Sequence, residues 1–170
     1  MPTVRLSFSP AAAHVRTARL VGVAVARRAG VATELFDEIR LAIGEACSRA
    51  VALHREHNIP DLVEVALVDG DRFTVRVTDR APIDAGLGPV LPDPPDPVAL
   101  LDDPTVQLPV GDPSGEEAVA VGMRLALLIG IVDDLSVRPV EAGPGTEVLM
   151  SWPTKHGRNG GAAMRMSGQR

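Results

Sequence analysis

Residues Asp37–His57, DEIRLAIGEACSRAVALHREH, carry one unbroken amphipathic helical pattern, and the rest of the chain has to be arranged around it. Ile39, Ala42, Ile43, Ala46, Ala50 and Leu53 recur at helical spacing and put one apolar stripe against a core. Thr33 is the expected N-cap. Glu34, Asp37 and Glu38 place negative charge in the opening turns, and His54, Arg55 and His57 lie at the end where the helix dipole favours positive charge. Glu45 and Arg49 are four residues apart, so their side chains rise from the same face one turn from each other. Two readings of that pair stand. It is either chemical machinery or a plain Glu→Arg surface pair worth about 0.3–0.5 kcal/mol.

A chain of 170 residues, 45% hydrophobic, suffices for one domain with a two-layer core. With three Phe, one Trp and no Tyr, that core is built from Val, Leu, Ile and Ala. Residues 1–152 hold 13 basic against 22 acidic side chains, a net of −9, which argues against nucleic acid as the main partner. The single cysteine, Cys47, excludes an internal disulfide, and its place on the long helix predicts a buried, inert thiol. The first residues lack a basic-then-apolar leader pattern. Ala118–Val132 is shorter than a membrane span needs and includes Arg124. The expectation is a cytoplasmic protein without a membrane segment.

Along the chain, Thr3–Phe8 alternates as a half-buried strand. Ser9-Pro10 reads as a helix start, with Ser9 as N-cap and Pro10 in the first turn. That helix runs to about Ala29 and stops at Gly30. Arg16, Arg19, Arg27 and Arg28 give it a basic side, read either as a solvated face or as a docking face for an acidic partner. Leu62–Val68 and Phe73–Thr78 are alternating strands about an Asp69-Gly70-Asp71-Arg72 turn. From Ala81 to Met123 there is no basic residue, and nine prolines interrupt the stretch, so residues 81–117 read as an acidic lid inserted in the domain. Glu116 to about Ile131 is a third helix. Leu135–Val140 and Thr146–Trp152 are strands around a Gly/Pro-rich turn, and residues 153–170 form a basic, disordered tail. The order predicts an α+β fold, a two-layer sandwich with helices on one face of a mixed, mainly antiparallel sheet. No histidine has metal-ligand spacing, and Asp133-Asp134 reads as solvated structure.

Four segments in order resemble the boxes of the GHKL ATPase fold shared by histidine kinases and DNA gyrase: DEIRLAIGEACSRAVALH, VRVTDRAPID, VGMRLALLIGIVDDLSV and GPGTEVLMSW. Within that fold the match is most similar to the small anti-sigma-factor serine kinases, over residues 1–152. The resemblance implies that Glu45 holds the general-base position and that Arg49 stands where an Asn ligates Mg²⁺. A guanidinium has donors but no acceptor, so Arg49 does not ligate a metal; it either contacts a phosphate or folds back onto Glu45. Asp79 matches the carboxylate that accepts from the adenine amino group, and Thr146 matches the Gly-Thr strand beside it. Ala81 and Ile83 replace the two glycines of the first glycine box. In the second box Gly122 is kept and Arg124 replaces its partner glycine. The resemblance thus implies a degenerate ATP site, without Mg²⁺, in a homodimer that binds a sigma factor or a STAS-domain antagonist through Arg16 and Arg19. Two alternatives are an active ATP-dependent serine kinase of the antagonist and a GHKL-like module with an unrelated partner.

Overall fold

The computed structural model describes residues 1–82, 127–132 and 134–155. Their element order is β1 (Thr3–Phe8), α1 (Ala12–Arg28), α2 (Phe36–Glu56), β2 (Val63–Val68), β3 (Arg72–Thr78), β4 (Leu135–Pro139) and β5 (Thr146–Pro153). The strands form one sheet in the order β1-β2-β3-β5-β4. The α+β sandwich is therefore present, and where the sequence left room for a mixed sheet, every strand pairing is antiparallel.

Alternation explains the layering. Val63, Val65 and Leu67 of β2, Phe73, Val75 and Val77 of β3, and Val148, Met150 and Trp152 of β5 all point to one side and are buried. Against them lie Ile39, Ile43, Ala46 and Ala50 of α2, with Val15, Ala18, Val23 and Ala26 of α1 completing the same core. Small residues bring the two helices close: a Cβ on Gly22 would lie 2.2 Å from Ile43 Cδ1. The indole N–H of Trp152 donates to Glu38 Oε1 at 2.6 Å, tying β5 to the first turns of α2. The opposite face of the sheet is charged, with Arg76 and Arg138 both bonded to Glu147.

Several boundaries differ from the sequence reading for local reasons. Ala11, not Ser9, is the N-cap of α1, and no side chain caps it. Ser9 and His14 bond to each other instead. Thr33 opens a 3₁₀ turn, Thr33–Leu35, that leads into α2 at Phe36, so it caps nothing. Gly30 does end the first helix as expected, with φ of 77°. The first residues of the expected tail are ordered, and residues 156–170 lie outside the described residues. Pro153 belongs to β5, Thr154 bridges Val31, and the Lys155 N–H donates to Gly30 O at 3.0 Å. Residues 127–131 are helical, as the third-helix reading requires; the rest of that helix, the lid segment 83–117 and Asp133 lie outside the described residues. Asp134 accepts from Ser151 Oγ and pairs with Arg72, which supports the structural reading of that residue. Among the described residues no helix is long and apolar enough to cross a membrane, and no His/Cys/Asp/Glu group is arranged to hold a metal ion.

Cys47 is buried in α2, as its position predicts. Burial pushes its thiol up from 9.0 to about 12, against the opposing pull of the Arg19 guanidinium. The unfolded chain therefore loses this proton near pH 9 while the folded chain keeps it, so stability present below pH 9 is lost as pH rises toward 12. The expected slope from this thiol is about 1.4 kcal/mol per pH unit. With no Tyr and a single Lys in the chain, few other groups titrate in that window. Urea unfolding from pH 8 to 11 should show the decline, and Cys47→Ala should flatten it. An identical slope in the variant would refute the assignment.

Candidate functional site

The stripe that buries α2 runs Ala42, Ala46, Arg49, Leu53, in steps of four, three and four. Arg49 thus projects inward and not into solvent. A guanidinium there needs a counter-charge, since an unpaired charge in an apolar interior costs several kcal/mol. Asp79 supplies it from the residue after β3. Arg49 Nη1 donates to Asp79 Oδ2 at 2.9 Å, with both side chains 1% exposed. Arg49 is interior and paired with Asp79, which contradicts the surface placement in the surface-pair reading of Glu45 and Arg49. Glu45, one turn earlier, is half-buried.

The other carboxylate oxygen is fixed by the backbone. Asp79 Oδ1 accepts from Ala81 N–H at 3.1 Å and from Thr146 N–H at 3.2 Å. The Asp79 N–H donates in return to Thr146 O at 3.0 Å, closing a reciprocal link between the ends of β3 and β5. Gly145 makes this approach possible. Its φ is 132°, and a Cβ there would sit 2.2 Å from the Asp79 carbonyl oxygen. Thr146 is fully buried, and its hydroxyl has no hydrogen-bond partner among the described residues.

His54 is a member of this site that sequence reasoning passed over. It is fully buried one turn beyond Ala50, a position on the inner stripe that itself signals interior placement. Its Nε2 accepts from Arg80 N–H at 2.9 Å and its Nδ1 lies 3.0 Å from Asp61 O, so the ring is an Nδ1–H tautomer clamping the backbone next to Asp79. Of the sequence-derived site residues, Arg49, Asp79, Ala81 and Thr146 come together here. Gly122 and Arg124 lie outside the described residues.

Chemically, the cluster does not fit a nucleotide with its metal. The position that would ligate Mg²⁺ presents only N–H donors. The carboxylate that would meet an adenine amino group is buried and engaged on both oxygens. Two concavities among the described residues lie elsewhere, a cleft of about 380 Å³ lined by Arg76, Arg80, Arg138 and Glu147 and one of about 460 Å³ lined by Asp61, Glu64, Arg80 and Pro144.

The basic side of α1 is less uniform than its sequence implies. Arg16 is exposed, whereas Arg19 is half-buried, with its guanidinium lying where a Cβ on Gly44 would be. Arg27 stacks on the Phe36 ring at 5.4 Å, and Arg28 lies 3.7 Å from Asp69.

A comparison with curated proteins found no match. The family model for the histidine kinase-like ATPase domain matches residues 8–152, from the end of β1 to Trp152 in β5. With the four boxes in order and that match covering the sandwich from the end of β1 onward, the chain belongs to the histidine kinase-like ATPase domain family.

Proposed function

We propose that this chain is a regulatory binding protein of the anti-sigma-factor type, in which an ATPase-family domain holds a sigma factor or a STAS-domain antagonist without turning over nucleotide. The observation that carries this reading is the buried Arg49–Asp79 ion pair. Phosphoryl transfer depends on a metal to neutralise charge on the phosphates and on groups that position the nucleotide. Arg49 offers the metal no oxygen, and by holding Asp79 it removes the acceptor for the base. The same pair disfavours the alternative of an ATP-dependent serine kinase that uses Glu45 as its base.

Isothermal calorimetry with ATP tests the reading. Binding is expected to be weak and nearly unchanged by Mg²⁺. Micromolar or tighter affinity that collapses on adding chelator would overturn it. The partner side is tested in the same way with an acidic sigma factor or antagonist. Arg16, exposed on α1 in a domain of negative net charge, is expected to steer such a partner mainly through the association rate. Arg16→Glu should slow association at low salt and leave it unchanged at high salt. Equal rates at low salt would assign Arg16 to the solvated face. Arg19 is a poor choice for this test, because its contact with Gly44 makes it part of the helix packing.

A further inference from the structure

The two concavities outside the Asp79 cluster adjoin across one side chain, Arg80, and make a trough on the charged face of the sheet. Its ends differ in sign. The first cleft has three arginines, Arg76, Arg80 and Arg138, against two carboxylates, Glu141 and Glu147. Glu147 Oε1 is taken by Arg138 at 2.7 Å and Oε2 by Arg76 at 3.2 Å. Two exposed guanidinia thus share one anion whose side chain is only 14% exposed, so their outer N–H donors remain for a ligand. The second cleft has two carboxylates, Asp61 and Glu64, against one arginine, Arg80, which lies 3.5 Å from Glu64. Strand register sets the distance between the ends. Glu64 pairs with Thr78, Thr78 with Glu147 and Glu147 with Arg138, one row across β2, β3, β5 and β4. Three strand spacings put Glu64 and Arg138 about 14 Å apart. An extended chain covers about 13 Å in four residues.

We propose that this trough docks an extended peptide segment of a protein partner, laid across the strands with an acidic side chain over Arg76 and Arg138 and a basic one four residues away over Glu64 and Asp61. The inference rests on the reading of the chain as a binding protein and adds a surface on the sheet to the one on α1. Charge complementarity selects this occupant. A small anion would meet the arginine end alone and leave the Asp61 and Glu64 end unanswered, whereas a bipolar segment answers both. The residues between the two charges have an apolar wall to lie on, since Leu62 is 48% exposed and Pro139, Val140 and Pro144 also line the trough. Such an arrangement fixes the register of the partner as well as its sign, because only a spacing near four residues reaches both ends.

The test is an NMR titration of the ¹⁵N-labelled full chain with the peptide acetyl-Glu-Val-Ala-Val-Lys-amide. The expected result is saturable shifts of the Glu64, Arg76, Arg138 and Glu147 amides, weakened by salt. The composition-matched acetyl-Val-Glu-Lys-Val-Ala-amide, with its charges adjacent, should bind at least fivefold more weakly. Arg138→Glu should reverse the preference at the first cleft, losing the Glu…Lys peptide and taking acetyl-Lys-Val-Ala-Val-Lys-amide at least fivefold better than the wild type does. Arg138→Gln, milder at an exposed position, should weaken the Glu…Lys peptide without that gain. No binding by the wild type overturns the proposal, and so does equal binding of the adjacent-charge peptide. Unchanged affinity in both folded Arg138 variants also overturns it. Glutarate shifting the same amides as strongly as the peptide would make the first cleft a small-anion pocket and overturn the peptide assignment. Arg16→Glu should bind the peptide as the wild type does, and a loss there would place the peptide on α1 and overturn the trough. Each of these failures leaves the functional reading intact, whereas Mg²⁺-dependent ATP binding by the wild type would remove that reading itself.

Discussion

Asp79→Ala is expected to destabilise the folded protein by about 3–5 kcal/mol, a large share of the roughly 5–15 kcal/mol available to a domain of this size. Three losses coincide. The buried Arg49 guanidinium loses the Asp79 carboxylate, and the Ala81 and Thr146 amides lose their shared acceptor. The size of the effect comes from the broken pair and not from any large net gain in forming it. Buried ion pairs are costly to desolvate, and replacing both partners together is often close to neutral. The double variant Arg49→Met, Asp79→Asn is therefore expected to be more stable than either single variant. It keeps a side-chain oxygen for the two amides and leaves no charge behind. Urea denaturation of the four proteins gives the coupling directly, and costs that simply add would refute the account.

Gly145→Ala should be the next most damaging change, costing on the order of 3 kcal/mol. A backbone at φ 132° disfavours any Cβ, and this Cβ would meet the Asp79 carbonyl oxygen at 2.2 Å. That oxygen belongs to backbone, so relief requires pulling β3 and β5 apart at the Asp79–Thr146 link. Gly143 provides the comparison. Its φ is 93° and a Cβ there meets nothing within 4 Å, so Gly143→Ala should cost only the backbone preference, about 1–2 kcal/mol. Equal unfolding midpoints for the two variants would show that the close approach is not what fixes Gly145.

Much of the sandwich can be read directly from the chain. The alternation of Val63–Val68 and Thr146–Pro153 and the stripe Ile39, Ile43, Ala46, Ala50 identify their buried faces without further information. Helix starts are harder. Ser9 and Thr33 are good caps by residue type, but the chain turns at Ala11 and through a 3₁₀ segment because Ser9 bonds His14 and Phe36 is drawn into the core. The site was half legible. Asp79 and Thr146 are recognisable from their boxes, yet the pairing of Arg49 with Asp79 spans 30 positions and obeys no local spacing rule. The available signal lay in the helix itself, since Arg49 falls on the inward row with Ala46 and Leu53. The i,i+4 relation to Glu45 drew attention to the helix surface, because a surface pair and an interior cation share the same spacing.

The Arg49–Asp79 contact also bears on how α2 chooses its orientation on the sheet. The residues it buries are uneven in size, from Ala42, Ala46 and Ala50 to Phe36, Ile39, Ile43 and Leu53. Rolling the helix by one residue, about 100°, would already misplace these side chains against the strands. It would also carry the guanidinium away from Asp79 and leave that carboxylate buried without its cation. The contact therefore acts as a locating pin added to the packing, penalising neighbouring rotational settings by several kcal/mol more.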